Sequence, residues 1–112
     1  MGNIRGRVQV ELAERSYQIT IGYDIWSGCV KQLRSLAGGS KAYIISDENV
    51  YGLYGHKLEI ILAEAGFAAE RFVVLPGENS KSWEQAGQIL EEMLTKNLER
   101  KTAVLALGGG VV

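Results

Sequence analysis

Shortages in this chain exclude more than its abundances do. Of 112 residues one is cysteine, Cys29, so no internal disulfide can brace the fold and a reducing, cytoplasmic setting is expected. One residue is histidine, His56, with no cysteine or second histidine at ligand spacing, so no metal site is expected within the chain. Neither sign of charge is in excess, with 12 basic and 13 acidic residues interspersed; no nucleic-acid or anionic-lipid partner is expected. No apolar run approaches the ~20 residues that cross a bilayer, and the amino terminus lacks a signal-peptide core. What remains is 46% hydrophobic and 22% charged, the composition of one small globular domain with a small-molecule partner.

The hydrophobic period changes along the chain. Val8, Val10 and Leu12 alternate with polar residues, Ala13-Glu14-Arg15-Ser16 interrupts, and Tyr17, Ile19 and Ile21 resume the alternation, which is a hairpin signal. Asp24 can cap a helix whose apolar positions are Trp26, Cys29, Val30, Leu33 and Leu36, and Gly38-Gly39 ends it. Ala42 to Ser46 is a short, almost wholly apolar run, as a parallel strand covered on both faces requires. A second helix follows with Tyr54, Leu58, Ile61, Leu62 and Ala65 inward and Gly66 as its stop. Phe72 to Leu75 reads as a strand broken by Pro76-Gly77. Ser82 with Gln85 fits a capping box for a third helix with Trp83, Ala86, Leu90, Met93 and Leu94 inward. Thr102 to Leu107 is the last strand. The predicted fold is α/β: a Rossmann-like parallel sheet preceded by an antiparallel β-hairpin and cut short after its third strand.

In such a sheet the loops at the carboxyl ends of the strands share one rim, where ligands of open α/β folds bind. Three polar or glycine-rich segments are thereby brought together: Asp47-Glu48-Asn49, Pro76-Gly77-Glu78-Asn79-Ser80-Lys81, and Gly108-Gly109-Gly110. The three glycines can offer backbone amides to a phosphate, although their spacing is not the G-x-G-x-x-G fingerprint and a simple turn also fits. Asp47 or Glu78 can accept hydrogen bonds from a ribose diol; helix capping accounts equally well for both. Lys81 can meet a phosphate or ribose oxygen, or only solvent. His56, Trp26 and Trp83 read as structural, Cys29 as core packing, and no catalytic set is evident.

Three strings then read together: Glu14-Arg15-Ser16-Tyr17, Pro76-Gly77-Glu78-Asn79-Ser80-Lys81-Ser82, and Leu107-Gly108-Gly109-Gly110-Val111-Val112. With Ser46-Asp47-Glu48-Asn49-Val50 they resemble the 3-dehydroquinate synthase family along essentially the whole chain, in the right order, and only its amino-terminal part. The resemblance implies residues 1–112 to be the NAD-binding, Rossmann-like segment of a two-domain shikimate-pathway lyase. The family's helical half, which carries a divalent metal (zinc or cobalt) and the groups that grip a seven-carbon keto-sugar acid phosphate, has no counterpart here.

The resemblance further implies transient hydride transfer to NAD, phosphate elimination and cyclisation in the full-length enzyme, with the segment inactive alone. It carries cofactor contacts onto Asp47, Glu48 and Asn49, onto Gly77, Glu78, Asn79, Ser80 and Lys81, and onto Gly108, Gly109, Gly110 and Val111. No catalytic or metal residue is carried over. A related sugar-phosphate cyclase or a metal-dependent polyol or alcohol dehydrogenase would share such a nucleotide domain; a receiver-like module modified on Asp47 would leave the glycine run without a reason. Strand edges or apolar faces left uncovered after Leu107 lead to an expectation of homo-oligomers.

Overall fold

The computed structural model describes residues 2–77, 81–96, 101–109 and 112. Its elements are β1 (Asn3–Val10), a 3-10 turn (Ala13–Arg15), β2 (Tyr17–Tyr23), α1 (Trp26–Leu36), β3 (Lys41–Asp47), α2 (Glu48–Val50), a π turn (Tyr51–Gly55), α3 (His56–Glu64), β4 (Ala68–Val74), α4 (Trp83–Thr95) and β5 (Ala103–Leu107). β1 and β2 form the expected antiparallel hairpin, and the other three strands form a parallel sheet in the order β4-β3-β5. The expected α/β class and the position of each strand hold; β4 begins at Ala68, four residues before Phe72.

β3 is central because its sequence tolerates water nowhere. Ala42, Tyr43, Ile44 and Ser46 are fully buried, between β4 on one edge and β5 on the other, as an almost continuous apolar strand requires. On one face Ala42 and Ile44 pack with Val30 of α1, Leu58 and Leu62 of α3, and Phe67, making the core. On the other face Tyr43 reaches α4, where its hydroxyl donates to Glu92 Oε2 at 3.3 Å. The β3-to-β4 and β4-to-β5 connections therefore lie on opposite faces.

Local chemistry sets the helix ends. The Asp47 side chain accepts from Val50 N at 2.8 Å and starts α2, and Ser82 accepts from Gln85 N at 3.2 Å and starts α4; both caps satisfy amides that a helix leaves without partners. Gly66, at φ +90°, ends α3 in a conformation that side chains disfavour. Gly55 lies inside the π turn against the Tyr51 ring, where a β-carbon would clash.

Several expectations about side chains fail. Asp24 does not cap α1: the preceding residue is Ile25, without a side-chain cap, while Asp24 holds φ +52° and pairs with Lys57 at 3.0 Å. That pair pulls the Asp24 carboxyl below its ordinary range, the Lys57 hydrogen bond being the main cause. Cys29 is exposed, because the buried line of α1 passes through Trp26, Val30 and Leu33 and leaves Cys29 at its margin; Leu36 is exposed one turn beyond Leu33. Tyr54 is half-exposed and meets the Trp26 ring edge-on at 5.8 Å.

The largest departure is α4. Trp83 is 94% exposed, Leu90 and Leu94 also face solvent, and so does Ala86; of the stripe read as buried, only Met93 is partly covered. Polar chemistry sets the rotation of the helix. Lys96 bridges Glu92 and Glu70, each at 3.0 Å, and Glu92 accepts from Tyr43. This turns the Glu92–Lys96 side of the helix to the sheet and its apolar stripe outward.

Two predictions follow from that arrangement. Burial, then the charge and hydrogen bond of Glu92, push the Tyr43 hydroxyl up from 10.0 to about 12. The folded chain holds this proton more tightly than the unfolded chain, so the stability contributed is complete below pH 10 and is lost as pH rises toward 12. Its full size is about 2–3 kcal/mol. Tyr43→Phe should flatten the alkaline limb of stability measured by urea unfolding at a series of pH values. Trp83→Gln should change stability by less than about 0.5 kcal/mol, whereas an inward tryptophan would cost ~3 kcal/mol or more; chemical denaturation separates the two.

Candidate functional site

The sheet order makes one place special. From the central β3 the chain leaves to β4 on one side and returns to β5 on the other, so connections diverge at the carboxyl ends of β3 and β5, the point where open α/β sheets bind ligands. In register, Ser46 stands opposite Leu107 and Asp47 opposite Val74. The ends of the three strands are therefore level, and their loops leave from one edge.

Two side chains of β3 organise that edge. Ser46, fully buried, donates from Oγ to the Leu107 carbonyl at 2.7 Å, so its hydroxyl ties the end of β3 to the last residue before the glycines. Asp47, 8% exposed, gives Oδ1 to the Val50 amide, while Oδ2 lies 4.0 Å from where a β-carbon on Gly108 would stand. A β-carbon there would also come within 2.9 Å of the Val112 side chain, so Gly108 is compact by necessity. Gly109 faces open space, and its exposed backbone is available to a ligand.

The residues read from the sequence as cofactor contacts fall into three groups. Asp47, Glu48 and Asn49 stand with Gly108 and Gly109 at the β3–β5 edge, Glu48 and Asn49 exposed on the first turn of α2. Gly77 is an exposed turn residue at φ +105° just beyond β4, and Lys81 is exposed just before the Ser82 cap of α4. Glu78, Asn79, Ser80, Gly110 and Val111 lie outside the described residues. Ser46 was missed as a positioning residue. Its one legible signal was a hydroxyl at the last but one position of an apolar strand.

Three clefts among the described residues can be placed against this edge. One of about 440 Å³ opens between the hairpin and α1, and a second of that size is ringed by Tyr23, Asp24, Trp26, Tyr54 and Lys57. A smaller apolar cleft, about 240 Å³, runs under β5 to Leu107, with Trp26, Val30, Leu33 and Leu58 on its wall. Neither larger cleft includes a rim residue. Among the described residues no three His, Cys, Asp or Glu side chains gather as a metal site would need, and no helix is long and apolar enough to cross a membrane.

The fold is an open, Rossmann-like parallel sheet with a hairpin before it, and solved structures share that architecture. The crystal structure of 2-deoxy-scyllo-inosose synthase complexed with carbaglucose-6-phosphate, NAD+ and Co2+ matches at TM-score 0.79 and 20% identity, over 95% of this chain and 29% of that one. Another crystal structure of 2-deoxy-scyllo-inosose synthase matches at TM-score 0.76 and 19% identity, with 95% and 30% covered. In sequence, residues 71–112 match the family model described as 3-dehydroquinate synthase N-terminal. The 3-dehydroquinate synthase of Rhizobium meliloti (strain 1021) is 41% identical over 106 residues, 95% of this chain and 28% of that protein. That of Caldanaerobacter subterraneus subsp. tengcongensis is 40% identical over 105 residues, 94% and 30%. The chain is similar in sequence to these 3-dehydroquinate synthases, and it spans under a third of the length of these curated relatives.

Stability should respond to both β3 side chains. Ser46→Ala leaves the Leu107 carbonyl without its buried donor and should cost about 1–2 kcal/mol. Asp47→Ala should cost ~1 kcal/mol through the lost cap, and Asp47→Asn, an equally good cap, almost nothing. Thermal or urea unfolding of the three variants checks this order.

Proposed function

We propose that this chain is the NAD-binding, Rossmann-like part of a 3-dehydroquinate synthase. The protein as a whole would then carry out an NAD-dependent phosphate elimination and cyclisation of a seven-carbon keto-sugar acid phosphate, a carbon–oxygen lyase reaction of the shikimate pathway. The observation that carries the reading is the adjacency of Asp47 and Gly108 at the β3–β5 edge, in a chain 41% identical to such an enzyme over 95% of its length. Identity to the 2-deoxy-scyllo-inosose synthases is half that, which favours the synthase over a related sugar-phosphate cyclase.

The edge fits a dinucleotide. Gly108 and Gly109 expose main chain at the switch point, and Asp47 has one oxygen committed to the cap and the other turned toward the glycines. In this reading the backbone from Gly108 through Val111 would hold the pyrophosphate, Asp47 with Glu48 and Asn49 would accept from a ribose diol, and Gly77 to Lys81 would lie along the remaining part of the nucleotide. Bound NAD supplies a reversible hydride acceptor. This chain's residues would bind and orient the nucleotide; with no gathering of ligands among the described residues, no step is assigned to a metal here. A cytoplasmic location accords with the substrate class and is part of the same proposal.

The test is calorimetric titration of NAD onto the chain. Asp47→Asn should keep the unfolding midpoint and weaken binding about five-fold or more, since a neutral amide replaces the charged acceptor. Gly109→Val meets open space, so it should fold normally and weaken binding about ten-fold or more by covering the amides. Unchanged affinity in both variants, or no heat of NAD binding to the parent chain, overturns the assignment.

A further inference from the structure

We propose that the cleft ringed by Tyr23, Asp24, Trp26, Tyr54 and Lys57 binds a free α-amino acid with an aromatic side chain. The cleft holds about 440 Å³, within the range of small-molecule sites, about 300–1,000 Å³. Of the chain's two tryptophans and five tyrosines, three line it. β2 ends on Tyr23, α1 starts with Trp26, the π turn carries Tyr54, and Lys57 stands in the first turn of α3. Four elements converge there, and none of the five residues belongs to the nucleotide edge.

The apolar part of the wall is aromatic and open. Trp26 and Tyr54 meet edge-on, with 5.8 Å between ring centres and 70° between planes, and Tyr23 is 77% exposed. Tyr23 and Tyr54 stand outside the core that Val30, Leu58, Leu62 and Phe67 make, so core packing does not account for them. A flat ring brought between them gains the offset or edge-to-face contacts that aromatic pairs prefer.

Asp24 and Lys57 select what the ring must carry. Lys57 Nζ donates to Asp24 Oδ1 at 3.0 Å and lies 5.9 Å from the Trp26 ring centre, so both charges stand beside the aromatic wall. Their bond uses one donor of an ammonium that has three and one oxygen of a carboxylate that has two. An α-amino acid carries its ammonium and carboxylate on one carbon, side by side as Asp24 and Lys57 are. Set antiparallel to this pair, its ammonium donates to Asp24 Oδ2 and its carboxylate accepts from Lys57, so that four charges alternate in sign around a ring. A plain anion, a nucleotide phosphate included, is repelled by Asp24, and a plain cation by Lys57. A zwitterion is attracted by both.

The experiment is titration of L-phenylalanine onto the 112-residue chain carrying Trp83→Gln, which keeps Trp26 as its sole tryptophan, read by tryptophan fluorescence. The signal should saturate. 2-Phenylethylamine, without the carboxylate, 3-phenylpropanoate, without the ammonium, and L-alanine, without the ring, should each bind about ten-fold or more weakly. Asp24 holds φ +52°, a conformation that asparagine tolerates, so Asp24→Asn should fold, weaken phenylalanine binding about ten-fold and remove its advantage over 3-phenylpropanoate. Lys57→Met keeps an apolar stem and should remove the advantage over 2-phenylethylamine. General destabilisation would not abolish one discrimination at a time. The analogue series, which needs neither charge variant, decides the matter if circular dichroism shows those variants unfolded. No saturable signal up to the solubility limit of phenylalanine, equal affinity for phenylalanine and its truncated analogues, or folded variants that keep both discriminations overturn the proposal. NAD is absent throughout, so the result is read separately from the nucleotide assignment.

Discussion

The burial of β3 is the constraint on which the rest of this molecule depends. Its edges are taken by β4 and β5 and its faces by α1 and α3 on one side and α4 on the other, so Ala42, Tyr43, Ile44 and Ser46 have no solvent contact. A strand in that position must satisfy every main-chain group through its neighbours. The level carboxyl ends of the three strands are a consequence of that pairing. So is the closeness of Asp47 to Gly108, which no local preference in either loop would produce.

Legibility in the sequence followed the scale of the physics. Strands, hairpin and order along the chain came through because period and turn residues are local: the alternation from Val8 to Ile21, the apolar run at Ala42 and the stops at Gly66 and Pro76-Gly77 each act within a few residues. The cap of α4 by Ser82 was legible for the same reason. Rotation of a helix about its own axis is different, since it depends on what the sheet presents. The stripe Trp83, Ala86, Leu90 and Leu94 was the obvious inward face by period. Yet Tyr43 and Glu70 offer polar partners, and Glu92 with Lys96 answers them.

That choice has a physical logic. A tyrosine hydroxyl buried beneath a helix costs ~1–3 kcal/mol if it finds no acceptor, and Glu92 is the acceptor within reach. Once Glu92 turns inward its own charge needs a partner, and Lys96, one turn along, supplies it while reaching across to β4. The pairings hold Lys96 charged beyond its ordinary range, chiefly through Glu92 and then Glu70. The buried phenol thus sets the polarity of the whole contact. At Asp24 a similar conflict ended the other way: pairing with Lys57 took precedence over capping α1.

Asp47 shows why a structural reading and a functional reading of one side chain need not compete. A carboxylate has two oxygens and several acceptor directions. The cap uses Oδ1, and because it fixes both side-chain torsions it also aims Oδ2 toward the glycine edge. Were the carboxylate free to rotate, any hydrogen bond to a diol would first have to offset its lost rotamer freedom. Capping α2 has already imposed that cost within the fold. In the proposed function the residue that starts the helix is, for that reason, better prepared to meet the nucleotide than its exposed neighbours Glu48 and Asn49. Ser46 extends the argument by one residue, since its bond to the Leu107 carbonyl ties the end of β3 to the last residue before the glycines.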